Sequence, residues 1–171
     1  YNYGGVYMDT DVEVIKNIDA FLECKGFTSF ESTNLVPTGI IACEKKMPVI
    51  SELLEYYTNK KFVNVDGTFD TTPNTKTITD TFVKYGLIPN NQKQVIKDFT
   101  FYESEYFCPI DCKTKVKKIT ANTYTIHWFS GSWLPPKEKA KLKIYEIMGK
   151  TIGENNTKKI INLLKGKKNE K

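Results

Sequence analysis

The sequence predicts an α/β fold, and three observations carry that prediction. Short apolar or β-branched runs bounded by Gly, Pro, Asn and Asp recur along the chain, and stretches with a 3.6-residue apolar stripe are interleaved with them. The 171 residues, 40% hydrophobic and 13% aromatic, suffice for one domain with a real core. No internal repeat breaks the pattern into smaller units.

Taken in order, Tyr3-Gly4-Gly5-Val6-Tyr7-Met8 reads as a short buried strand, and residues 12–16 alternate apolar and polar as a second one. Residues 17–22 suit a helical turn with Ile18, Phe21 and Leu22 packed inward. Strands are expected at 26–31 and, more deeply buried, at 38–43. Pro48 opens a helix whose inner stripe is Val49, Ile50, Leu53, Leu54 and Tyr57. Thr77 is expected to cap the next helix, with Asp80 in its first turn, Phe82 inside, Gly86 at its close and Pro89 beyond. Residues 94–96, 99–102 and 106–107 read as short strands, and 124–128 as a clearer one. Pro135-Pro136 then breaks the chain before helical stretches at 137–148 and 157–164.

Charge divides the chain in two. From Lys137 onward eleven Lys face four Glu, whereas residues 1–136 hold fourteen Lys against sixteen acids, so the net +5 is a C-terminal property. There is no Arg, which argues against nucleic-acid readout through bidentate guanidinium contacts. The Lys-rich end reads as a solvated face, or as loose attachment to an anionic membrane surface. No run approaches the length of a membrane span. Cys24, Cys43, Cys108 and Cys112 lack a second close pair or clustered His, a weak zinc pattern, and are expected as reduced thiols of a cytoplasmic protein.

Chemistry concentrates at two places. Asp9-Thr10-Asp11 follows the first strand, and on an extended chain both carboxylates point the same way. Held that close they repel unless a proton or a cation lies between them, and oxygen ligands suit Mg²⁺ or Mn²⁺. The bland alternative is a polar turn after a strand. The glycines before the motif, Gly4 and Gly5, let backbone or a ligand approach the strand closely. The second place, His127-Trp128-Phe129-Ser130-Gly131-Ser132-Trp133, holds the chain's one His and both Trp. A neutral imidazole there could be a third metal ligand, although a lone His at a strand end is more often structural. Ser132 and Trp133 offer a hydroxyl and an aromatic wall of the kind that suits a sugar diphosphate.

Tyr-Gly-Gly-Val-Tyr-Met-Asp-Thr-Asp-Val-Glu resembles the signature of glycosyltransferase family 32, whose DXD-motif members include bacterial capsule and lipopolysaccharide sugar transferases and yeast Golgi mannosyltransferases. The resemblance spans about residues 3–136. It implies a GT-A-type, Rossmann-like nucleotide-sugar fold. It further implies that Asp9, Asp11 and His127 bind Mn²⁺ or Mg²⁺, that Asp9 and Asp11 are catalytic, and that Gly5, Asp9, Ser132 and Trp133 contact the donor. Members often carry two adjacent His where this chain has His127-Trp128, and Thr-Gly-Pro where it has Thr71-Thr72-Pro73. They also begin with a nucleotide-binding β-α-β half. The expectation is therefore an N-terminally truncated GT-A domain over residues 1–136, followed by a helical Lys-rich segment over 137–171.

The implied function is metal-dependent transfer of a sugar, with retention, from a UDP- or GDP-sugar to a glycan or lipid-linked acceptor in capsule or other surface polysaccharide synthesis. Glu31 and Asn34 are candidates for the acceptor side. The implied location is cytoplasmic, with peripheral contact at the inner face of the membrane. Two alternatives compete: an inactive transferase remnant that binds metal only, and a haloacid dehalogenase-type phosphatase. The latter also places Asp-x-Asp after an apolar strand, but it usually has Thr or Val where this chain has Glu13.

Overall fold

The computed structural model describes residues 1–132 and 134–166. Its architecture is α/β, with a mixed five-stranded sheet and helices. Strands β1 (Gly5–Met8), β3 (Gly26–Ser29), β4 (Ile40–Cys43), β5 (Gln94–Ile96) and β6 (Phe99–Tyr102) run in the order β1-β4-β3-β6-β5. The β3–β6 pair is parallel and the other pairs are antiparallel. A separate two-stranded sheet joins β2 (Val12–Val14) to β7 (Thr125–His127).

Period-two alternation divides the core between the two faces of the larger sheet. Phe99 and Phe101 of β6 face one way, where they join Val49 and Leu53 of α1 (Pro48–Thr58) and Ile78 and Phe82 of α2 (Asn74–Lys84). Ile40 and Ala42 of β4, Phe27 and Tyr102 face the other way, against Phe21 of a 3-10 turn (Asp19–Phe21) and Phe107 of α3 (Ser104–Phe107). Phe21 is the hub of that second layer, edge-on to Tyr102, Phe107 and Tyr124 at 4.6 to 5.0 Å between ring centroids. Each fully buried ring stabilises the fold by roughly 2–3 kcal/mol through the apolar area it removes from water.

Most expected elements are present, and the departures have physical reasons. β1 is an exposed edge strand, not a buried one: β4 covers one edge only, and Val6 and Tyr7 remain 36% and 55% exposed. Leu22 points outward, whereas Phe21 is buried and Ile18 packs partly buried against the same cluster, as expected. Leu54 and Tyr57 are likewise exposed, leaving Val49 and Leu53 as the buried stripe of α1.

α2 begins at Asn74 after Pro73, so Thr77 is not its cap. Thr77 lies buried inside the helix, and the nearby Thr79 hydroxyl donates to the Thr75 carbonyl while accepting the Val36 N–H. Tyr106 and Phe107 sit in a helical turn and not a strand. The Ser104 N–H is taken by the Asn91 side chain, and the Cys108 N–H closes the turn on the Ser104 carbonyl. This local bonding and the aromatic layer around Phe21 override the β-propensity of the rings.

The chain ends in α4 (Pro136–Ile152) and α5 (Glu154–Gly166), separated by Gly153 at φ 82°. Gly149 brings α4 close to the 111–116 loop: a Cβ there would lie 2.8 Å from the Thr114 carbonyl oxygen. α5 is tied to the same region by Lys158–Asp111 at 2.7 Å and Lys118–Glu154 at 2.8 Å.

Candidate functional site

The two-stranded sheet brings the two chemical stretches together. Its register sets Val12 opposite His127, and the Trp128 N–H extends the ladder by donating to the Asp11 carbonyl at 3.0 Å. Alternation along β7 turns His127 inward, while Trp128 lies outside the cavity, its indole N–H donating to Glu13 at 3.0 Å. Lys117 lies over the Trp128 ring at 4.3 Å.

Asp9-Thr10-Asp11 is not extended. The Asp9 carbonyl accepts the Val12 N–H at 3.1 Å, which closes a tight turn between β1 and β2. The expected convergence of the two carboxylates is present, but the turn and not strand alternation produces it. The bland reading of the motif as a polar turn thus describes its backbone correctly. Asp9 is fixed at the sheet end by its own N–H, which donates to the Gly39 carbonyl at 3.0 Å.

Each carboxylate is tethered through one oxygen and leaves the other facing His127. The Tyr7 hydroxyl donates to Asp9 Oδ1 at 2.7 Å, and Asp9 Oδ2 lies 3.7 Å from His127 Nε2. The Ser130 N–H and hydroxyl donate to Asp11 Oδ2 at 2.7 and 2.9 Å, and Asp11 Oδ1 lies 3.2 Å from Nε2. One ligand atom from each of the three residues falls within 4.8 Å of the others. Two carboxylate oxygens and an imidazole nitrogen in that arrangement fit a divalent ion, and the tethers on the far oxygens are the outer support such ligands need.

The electrostatics agree with that fit. Burial raises the Asp11 carboxyl, but the two Ser130 hydrogen bonds and His127 outweigh it and hold Asp11 below the usual range. Burial likewise dominates at His127 and lowers its pKa against the pull of Asp11 and Asp9, so the ring is neutral and able to ligate. His127 Nδ1 is buried without a hydrogen-bond partner, the one such side-chain atom among the described residues. The imidazole therefore carries its proton on Nε2, toward Asp11. Ligation through Nε2 would move that proton to Nδ1, an unsatisfied donor costing on the order of 1–3 kcal/mol.

The His127 ring is clamped. Phe129 stacks on it at 3.9 Å from a backbone with φ 51°, a left-handed conformation that an aromatic residue adopts only under constraint. Gly39 abuts the ring so closely that a Cβ would lie 2.6 Å from Nδ1. Lys115 holds the following turn, its ammonium donating to the Phe129 carbonyl at 2.6 Å and the Trp128 carbonyl at 3.4 Å.

Asp9, Asp11 and His127 open into a cavity of about 730 Å³, within the range of small-molecule sites. Ser132 lines it, as do Glu31, Lys113 and Lys115. Trp133 lies outside the described residues. Gly5 is not brought there: it sits toward the start of β1 and faces two other grooves. Asn34 is also outside the cavity, and its side chain accepts a hydrogen bond from Ser32. Tyr7, Gly39 and Lys115 are not legible as site residues in the sequence. Tyr7 and Gly39 read as two more strand residues, and nothing in the spacing of Lys115 connects it to residue 129.

Burial, joined by the charges of Asp111 and Asp9, pushes the Glu31 carboxyl above its ordinary value, although a hydrogen bond from Cys112 opposes the shift. The folded pKa is thus above the unfolded one. The ionised form costs stability as pH rises from the unfolded value of about 4.3 through the folded value. Glu31→Gln is expected to raise the melting temperature at about pH 8, with no gain near pH 4. Thermal melts at the two pH values read this, and equal melting temperatures at pH 8 would contradict it.

Comparison with known proteins adds one finding. A family model described as a glycosyltransferase sugar-binding region containing a DXD motif matches residues 1–28. That span includes both Asp9 and Asp11 and ends well before His127. No curated protein and no solved structure gives a significant match. The matched region supports a glycosyltransferase, without resolving which group of them.

Proposed function

We propose that this chain is the metal-dependent catalytic part of a retaining sugar transferase of the family 32 type, acting on a nucleotide-sugar donor. The observation that carries the reading is the tethered pair of carboxylates converging with His127 at the wall of a cavity of about 730 Å³. The DXD-region match over residues 1–28 supports it independently.

In this reading Asp11 Oδ1, His127 Nε2 and Asp9 Oδ2 hold Mn²⁺ or Mg²⁺. Such an ion would supply Lewis-acid stabilisation of the negative charge on the departing diphosphate. The protein's own groups do the positioning. Ser130 and Tyr7 fix the carboxylates, so no reorganisation is needed as charge develops. Lys113 and Lys115 add positive charge to the wall where the diphosphate would lie, and Ser132 offers it a hydroxyl. Trp133 completes the donor side in the same proposal. Glu31, on the cavity wall, is assigned to the acceptor side. A glycan or lipid-linked hydroxyl is the acceptor class, and surface polysaccharide synthesis is the setting the resemblance implies.

The test is release of nucleotide from a panel of UDP- and GDP-sugars with and without Mn²⁺. Metal-dependent hydrolysis of one donor is the expected result and identifies that donor. Measurable Mn²⁺ binding with no turnover of any donor would replace this reading with that of a remnant retaining only the metal site.

A further inference from the structure

We infer that the outward face of α4 is a docking surface for an anionic lipid bilayer. The packed side of this helix is filled: Leu142 and Tyr145 are half-buried, and Gly149 is pressed against Thr114. Yet a second apolar stripe runs along the opposite side. Ala140, Ile144, Ile147 and Thr151 follow one another at helical spacing and are all exposed, with Ile144 and Ile147 at 57% and 54%. A helix that merely covers the domain needs no such stripe on its solvent side. Leu163 and Leu164 of α5 are exposed as well.

Charge on the same helix selects the occupant. Lys137 and Lys141 flank the stripe on one side and Lys143 and Lys150 on the other, and α4 carries five Lys against two Glu. The two Glu are engaged within the helix, Glu138 by Lys141 and Glu146 by both Lys143 and Lys150. Lysine is depleted at the core of protein interfaces, and neither Trp nor Arg is present to anchor one. Lysine suits a bilayer surface, where its stem lies along apolar groups and its ammonium reaches anionic headgroups. No helix among the described residues is long and apolar enough to cross a membrane, so the mode is a helix lying in the interface plane.

This inference does not rest on the transferase reading, and its experiment does not use turnover. The full chain is floated with vesicles of phosphatidylcholine alone and with vesicles in which about one lipid in three is phosphatidylglycerol. Binding to the anionic vesicles only, weakened by salt, is expected. Ile144→Ser with Ile147→Ser should lower that binding at least roughly tenfold, since both side chains lose their apolar burial. Lys137→Ser with Lys141→Ser should lower it by about fivefold per charge. Both pairs are exposed, so an unchanged circular dichroism spectrum and an unchanged melting temperature would show the fold intact. The inference is overturned by failure of the folded chain to bind anionic vesicles. Equal binding by the Ile144/Ile147 variant, equal binding to neutral vesicles, or a self-association abolished by those two serines would overturn it as well.

Discussion

Asp11→Ala is expected to abolish Mn²⁺ binding and to lower donor hydrolysis by about a thousandfold, the scale of a lost charge-stabilising group. Asp11 carries two loads. Its Oδ1 is the carboxylate oxygen nearer His127, and its Oδ2 anchors the N–H and hydroxyl of Ser130. Alanine removes both, so the variant alone cannot separate a missing ligand from a displaced loop. Asp11→Asn keeps a carbonyl oxygen for Ser130 while removing the charge. If Asn restores the loop but not the metal, the role is ligation. Isothermal titration with Mn²⁺ beside the hydrolysis assay gives both readouts. Loss of metal binding with activity unchanged would rule out the metal mechanism.

The second large effect comes from a residue with no functional group. Gly39→Ala is expected to weaken Mn²⁺ binding at least tenfold and to destabilise the fold by about 1–3 kcal/mol, the range for an overpacked site. The added Cβ would lie 2.6 Å from His127 Nδ1 and 3.2 Å from two further ring atoms. The ring is not free to slide, being stacked on Phe129 and bounded by the two carboxylates. It must therefore tilt, which changes the position of Nε2 relative to Asp9 and Asp11. A double-mutant cycle decides whether His127 transmits the effect: Gly39→Ala should add little to the loss already caused by His127→Ala. Unchanged Mn²⁺ affinity in Gly39→Ala would refute the proposed coupling.

These two residues mark what the sequence does and does not disclose. Asp11 is legible because two acids beside an apolar strand are chemically conspicuous, and His127 because it is the chain's one imidazole at the end of a clear strand. Their meeting depends on pairing Val12 with His127, which is long-range information that no local pattern contains. Gly39 matters only for the space it leaves, and that space is defined by a ring 88 positions away. Tyr7 shows a similar limit: its place in β1 is readable, but its bond to Asp9 follows from a turn that reads as extended chain in sequence. The helical turn of α3 was unreadable for another reason. Its residues favour strands, and the deciding contact comes from Asn91.

The pairing of β2 with β7 also bears on the order in which the molecule assembles. It joins residues more than a hundred positions apart, so closing that loop carries a large entropic cost before any contact repays it. The larger sheet needs neither Asp11 nor His127 to form. The cation-binding geometry therefore exists only once β2 and β7 have paired, and is absent from any state in which β7 is undocked. A divalent ion that binds only the finished arrangement would stabilise this closure in proportion to the logarithm of its concentration. In such a chain, ion affinity serves as a gauge of whether β2 and β7 have come together.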